Sequence, residues 1–145
     1  MNNILFKTPS SSEEFKNYDL FRWEILRKPI GKSIESLKDK YEDSSYHLIG
    51  VIDNKIIACG RLHFNNAYEA QIRYMAIDEN FQRKGIGVKI IELLEAEAKK
   101  KQINKIVLNA RNHVVEFYAK SGYKAVRKYE GSDTGIPHTT MEKIL

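Results

Sequence analysis

One stretch constrains this chain more than any other. Residues 67–108 hold a run of β-forming residues, a loop with two glycines, a helical pattern and a second apolar run. In the first run Ile72, Tyr74 and Ala76 alternate with Arg73, Met75 and Ile77, the period of two that marks a strand. Further on, Ile86, Ile90, Leu93, Leu94 and Ala98 share one helical face. Lys89, Glu92, Glu95, Lys99 and Lys100 occupy the other, with Glu95 and Lys99 spaced as an i,i+4 ion pair. Lys105-Ile106-Val107-Leu108 reads as a buried strand. A strand, a helix of this length and a strand in succession form a βαβ unit, whose two strands are parallel neighbours.

The flanking sequence has a different grammar. Residues 4–6 read as a short edge strand. Ser11-x-x-Glu14 has capping-box spacing, each side chain placed to satisfy the other's backbone N–H. It opens a helix with Phe15, Tyr18, Phe21, Ile25 and Leu26 on one side, ending before Pro29. Ile34, Leu37 and Tyr41 predict a second short helix over 31–43. Three strands follow at 46–52, 55–64 and 67–77, joined by Asp53-Asn54 and Asn65-Asn66, an antiparallel meander. Gly60 inside a strand marks a bulge or a close backbone approach. After 108, Val114, Phe117 and Tyr118 lie on one face of a helix that Gly122-Tyr123 ends. Strands at 124–129 and 139–145 close the chain. The order β-α-α-β-β-β-α-β-α-β-β predicts an α/β (mixed α+β) fold, a mixed sheet flanked by helices. Without repeat or linker, residues 1–145 read as one domain.

Composition narrows the function. Lys and Arg number 24 against 19 Asp and Glu, a net charge of +5 that suits an anionic ligand. The basic residues are scattered, and no helix clusters them, so a nucleic-acid binder ranks last. Cys59 is the lone cysteine, which excludes disulfides and CxxC sites, and mid-strand it reads as a small buried hydrophobe. No metal is expected, since no HExxH or Cys/His cluster occurs. There is no membrane-length apolar run and no signal-like start, which makes the cytoplasm the expected location.

The loop Gln82-Arg83-Lys84-Gly85-Ile86-Gly87 carries the clearest chemistry. It sits between a strand and a helix N-terminus, where unpaired N–H groups and a partial positive charge favour anions. Gly85 and Gly87 leave those N–H groups open, and Arg83 and Lys84 add charge, a cradle suited to a pyrophosphate. A tight strand-to-helix turn is the plainer alternative. Gly87 is followed by Val88-Lys89-Ile90, so the loop is neither a Walker A sequence nor a dinucleotide fingerprint, whose third glycine is here Ile90.

Gln82-x-x-Gly85-x-Gly87 resembles the Q/R-x-x-G-x-G/A signature of the GNAT acyl-CoA N-acyltransferase superfamily. Phe117-Tyr118-x-x-x-Gly122-Tyr123 is similar to that family's second recurrent segment, and Gly135-Ile136-Pro137-His138 with Met141 to the ending of a branch of small bacterial members. The resemblance implies a mostly antiparallel sheet with one parallel pair, 67–77 and 105–109, splayed around acetyl-CoA, with helices on both faces. It implies that Met75, Ala76 and Ile77, the loop residues Gln82, Arg83, Lys84, Gly85, Ile86 and Gly87, then Asn109, Arg111, Asn112, Phe117 and Tyr118 hold coenzyme A. Met75 N–H would polarise the thioester carbonyl and Tyr118 protonate the departing thiolate; packing in the core is the alternative for Tyr118.

The base is less defined. Gln71 stands where some relatives carry a glutamate; Glu69, two residues earlier on the same strand face, is the residue chosen, with His63 and His138 as further candidates. Arg111 stands where many relatives place an asparagine, with Asn112 next, which alternatively is only a helix N-cap. Trp23, Arg27 and His47 are candidates for shaping an acceptor pocket. The expectation is an N-acetyltransferase acting on a small-molecule or peptide amine, a homodimer being compatible with the resemblance. A non-catalytic acyl-CoA-binding module is the alternative.

Overall fold

A computed structural model describes residues 3–132 and 134–145. Seven strands form one sheet in the order β1-β2-β3-β4-β5-β7-β6. They are β1 (Leu5–Lys7), β2 (Tyr46–Ile52), β3 (Lys55–Phe64), β4 (Glu69–Ile77), β5 (Lys105–Arg111), β6 (Lys124–Tyr129) and β7 (His138–Ile144). The helices are α1 (Ser12–Leu26), α2 (Ile86–Lys100) and the short α3 (Val115–Ala119). Every neighbouring pair is antiparallel except β4 and β5, the pair joined through α2.

Alternate strand residues feed two separate cores. Leu48, Leu62, Ile72, Ile106 and Leu108 pack with Ile86, Ile90, Ile91 and Leu94 of α2. Ile49, Cys59 and Ala76 pack with Tyr18 and, partly, Phe21 and Ile25 of α1. Helices therefore cover both faces.

Three local expectations need correcting. Residues 31–43 contain no α-helix: 3-10 turns at Lys28–Ile30, Ile34–Leu37 and Glu42–Ser44 replace it. Gly31 (φ 75°) and the non-helical Lys38 (ψ 86°) break the run, and Asp39 and Glu42 are drawn inward to arginines. The Ser11 hydroxyl accepts from Glu14 N–H at 3.0 Å, but the Glu14 carboxylate turns to Ser10 and Lys7 and not back to Ser11. Glu95 does not pair with Lys99 on the outer face. It is buried, accepting from Tyr123 Oη at 2.9 Å and Lys143 Nζ at 3.0 Å, because the turn before β6 and the end of β7 bring a phenol and an ammonium to that side of α2.

Two features shape the region where β4 and β5 meet. Their pairing covers only Glu69↔Lys105, Ala70↔Ile106 and Gln71↔Val107. Beyond it β4 stays on β3 as far as Ile77 and β5 stays on β7 as far as Arg111, so the two strands part into a V. On the β3 side, Cys59↔Ala76 and Arg61↔Arg73 leave Gly60 opposite both Tyr74 and Met75. That is a bulge, one residue facing two, and Tyr74 adopts φ 56° to make it. Gly60 is required there for packing as well, since a Cβ on it would lie 2.8 Å from Ile90 Cγ2.

Candidate active site

The bulge turns a peptide group. Cys59, fully buried and with its thiol pushed up to about 12 by burial, donates Sγ–H to the Tyr74 carbonyl at 3.3 Å. In a trans peptide the carbonyl and the following N–H point in opposite directions, so the Met75 N–H is directed away from Cys59. Across the V, Tyr118 of α3 brings its hydroxyl to 3.7 Å from Met75 Sδ. Tyr118 is half-buried with its ring edge-on to Phe117, and burial raises its phenol to about 12. Residues 43 positions apart thus share one end of the V.

Below this end lies the glycine loop. A 3-10 turn, Glu79–Phe81, is capped by the Asp78 carboxylate accepting from Asn80 N–H, and carries the chain out of β4. Gln82 Nε2 donates to the Ile77 carbonyl at 3.3 Å. Arg83 (φ 63°) and Gly85 (φ 81°) adopt left-handed conformations that reverse the backbone into α2. Gly85 is the N-cap and has no side chain to satisfy the first N–H groups of a fifteen-residue helix. Nothing lies within 4 Å of where its Cβ would be. Gln82, Arg83 and Lys84 are exposed, and a hollow lined by Phe6, Lys84, Gly85, Ile86 and Lys89 opens beside them. Open space, uncapped N–H groups and two cations fit a diphosphate. The two glycines differ in physical requirement. Gly85 is needed for its φ, whereas at Gly87 a Cβ would meet Phe117 Cζ at 2.8 Å.

The remaining named residues separate. Asn109 Oδ1 accepts from Thr140 Oγ1 at 2.7 Å, and Asn112 Oδ1 from Thr139 Oγ1 at 2.8 Å. Asn112 is therefore a tie to β7 and not a helix N-cap: Arg111 holds the N-cap position of the 3-10 turn there, without a side-chain cap bond. Glu69 sits at the closed end of the V, accepting from Asn65 Nδ2 and 3.6 Å from Lys105 Nζ. Six strand residues, about 20 Å of extended chain, separate it from Met75. His63 has both ring nitrogens engaged: Nδ1 accepts from Arg61, which can only donate, so Nε2–H donates to Asn65 Oδ1. Burial, with Arg61 adding to it, lowers that imidazole to about 4. His47 is likewise engaged, with Nε2–H donating to the Glu42 carbonyl and Nδ1 accepting from Tyr18. Trp23 Nε1 donates to the Lys32 carbonyl and Arg27 Nε to Ser36 Oγ, which ties both to the segment after α1. His138 differs: Nδ1–H donates to the Ile136 carbonyl at 2.6 Å, and Nε2 has no hydrogen-bond partner among the described residues.

Sequence reasoning missed a buried charge network between α1 and the sheet. Arg22 and Arg61 are fully buried. Arg22 bonds both Glu42 oxygens and Asp19. Arg61 bonds both Asp39 oxygens and Glu42, and Arg73 joins Asp39 at 2.9 Å. All three guanidiniums lie 4.5–5.6 Å from the centre of the Tyr74 ring, the bulge residue. Burial opposes ionisation of Asp39 and Glu42, and the arginines more than overcome it, holding both carboxyls below their ordinary range. Arg22 on a helix otherwise patterned as amphipathic was the available signal.

Comparison with known proteins shows the family to which this fold belongs. The chain is 28% identical over 133 residues to the uncharacterized N-acetyltransferase YjcF of Bacillus subtilis, covering 92% of this chain and 94% of that one. It is 31% identical over 106 residues to histone acetyltransferase TAP1 of Glycine max, a match spanning 68% of this chain and 46% of that protein. Among solved structures, Escherichia coli ElaA superimposes with a TM-score of 0.80 at 16% identity over 99% of both chains. A GNAT family acetyltransferase from Elizabethkingia anophelis, solved with acetyl-CoA bound, gives 0.77 at 22% identity over the full length of both. Residues 11–145 match the acetyltransferase (GNAT) domain, and the chain belongs to that family.

Proposed function

We propose that the protein is an acetyl-CoA-dependent N-acetyltransferase that moves an acetyl group to a primary amine by direct attack within a ternary complex. The observation that carries this reading is the approach of Tyr118 Oη to Met75 Sδ at 3.7 Å, which brings a proton donor to the residue that follows the left-handed Tyr74. Acetyl-CoA supplies the acetyl group as an activated thioester. The N–H groups of residues 82–87 hold its diphosphate, with Arg83 and Lys84 supplying countercharge. Asn109, Arg111, Asn112 and Phe117 flank the pantetheine arm, and the main chain of Met75, Ala76 and Ile77 binds it as an added strand would. The Met75 N–H donates to the thioester oxygen, where negative charge gathers during attack; one such donor is worth about 3 kcal/mol. Tyr118 gives its proton to the leaving sulfur. The amine's proton passes to a base, for which this reading favours His138 Nε2; Glu69, at the closed end of the V, is the alternative and would act through water.

Release of free thiol from acetyl-CoA across an amine panel tests the reading. Tyr118→Phe is expected to slow turnover by roughly 10²–10⁴ while coenzyme A still binds. Turnover at the parent rate would remove Tyr118 from the mechanism. Because burial raises its phenol to about 12, Tyr118 keeps its proton across the neutral range, and no alkaline loss of rate from it is expected below about pH 11.

A further inference from the structure

The charge on the α1 side of the V says what kind of amine belongs there. The network joins four cations, Arg22, Arg61, Arg73 and Lys38, to three carboxylates, Asp19, Asp39 and Glu42. His47 and His63 add no charge at neutral pH, since burial lowers both. Among the described residues of this network, cations exceed carboxylates by one. Arg22 and Arg61 are sealed in, whereas the Arg73 side chain is 41% exposed and spends one nitrogen on Asp39.

Arg73 stands at a telling place. Pairing of β4 with β5 stops at Gln71↔Val107, so Arg73 is the first residue of its face in the opened part, two positions before Met75. Continuing the register puts it level with Asn109. On β5, Asn109 and Arg111 alternate with the buried Leu108 and Ala110 and therefore share the face of Arg73. Arg111 has no ion pair among the described residues, and His138 is its partner on β7. The acids nearby, Glu69 and Glu142, lie at the closed end and share Lys105, at 3.6 and 3.3 Å. The open end thus carries two guanidiniums on one face, Arg73 and, beside the pantetheine arm in the reading above, Arg111. Neither belongs to the diphosphate cradle, whose cations Arg83 and Lys84 lead into α2 on the other face.

We infer that the acceptor amine carries an oxyanion, a carboxylate or a phosphate, and that Arg73 is the residue that recognises it. The inference rests on the transferase reading above. Asp39 and the Tyr74 ring hold the guanidinium in place, so little is lost in ordering it, and its nitrogens without a hydrogen bond among the described residues suit an oxyanion. The same field disfavours an ammonium and so favours the neutral amine that attack requires.

The test compares matched acceptors with acetyl-CoA and the parent protein: α-amino acids against their carboxamides, phosphoethanolamine against ethanolamine, and a lysine-rich peptide. The acidic member of a pair is expected to have a kcat/KM higher by about tenfold or more, mainly through KM. Arg73→Gln should shrink that ratio towards one, and Arg73→Lys should restore part of it. Neutral amines or the cationic peptide turning over as well as the acids would overturn the inference and leave the transferase standing. A ratio that survives Arg73→Gln would remove Arg73 from the role. Coenzyme A binding with no thiol released from any pair would overturn the transferase reading itself.

Discussion

On the α2 side of the sheet the site is built from main chain: the N–H groups after Gly85, a loop turned by left-handed residues, and a peptide rotated at Tyr74–Met75. On the α1 side it is built from side chains that arrive from α1, the 3-10 turns, β3 and β4, and lock one another through charge. The first half suits a ligand common to a family, because it depends on glycines and strand geometry and little on side-chain identity. The second suits a ligand particular to this chain, because each guanidinium and carboxylate depends on several others.

The sharpest way to break this contrast is Gly87→Asp. Any Cβ at 87 collides with the Phe117 ring, and a carboxylate adds negative charge at the proposed diphosphate cradle. Coenzyme A binding should fall below detection by calorimetry. Parent-like binding would mean that the cradle lies elsewhere.

On the other side, Glu42→Gln removes one carboxylate from two buried guanidiniums and should cost about 3–5 kcal/mol of stability, read by chemical denaturation. A change under 1 kcal/mol would show the network to be replaceable. The pH dependence sharpens the same point. Asp39 and Glu42 have folded-state pKa values below their ordinary ones, so their contribution is complete above about pH 5 and is lost as pH falls through the folded values. Acid unfolding of the parent should therefore be steeper below pH 4.5 than that of Glu42→Gln.

The same contrast explains what could be read from residues alone. The βαβ unit, the glycine loop and the turn after Tyr118 are local patterns, each written within a few residues, and the structure has them. Gly60 pointed to a bulge or a close approach and meets both descriptions. The α1 side was not legible. Nothing near Arg22 states that Glu42 will meet it, and nothing near Glu95 states that Tyr123 and Lys143 will cover it. Pairings over such separations are decided by strand order, and the insertion of β7 between β5 and β6 carries no local mark. His63, Glu69 and His138 all have suitable chemistry for a base; the bonds that engage His63 and the place of Glu69 along β4 are set by the fold and not by neighbouring residues.

A crystal of the protein grown with coenzyme A puts the central claim to its most direct trial. The account predicts diphosphate oxygens on the N–H groups of residues 82–87 and the thiol end between Met75 and Tyr118. Density for the ligand anywhere else, with that loop left bare, would contradict it.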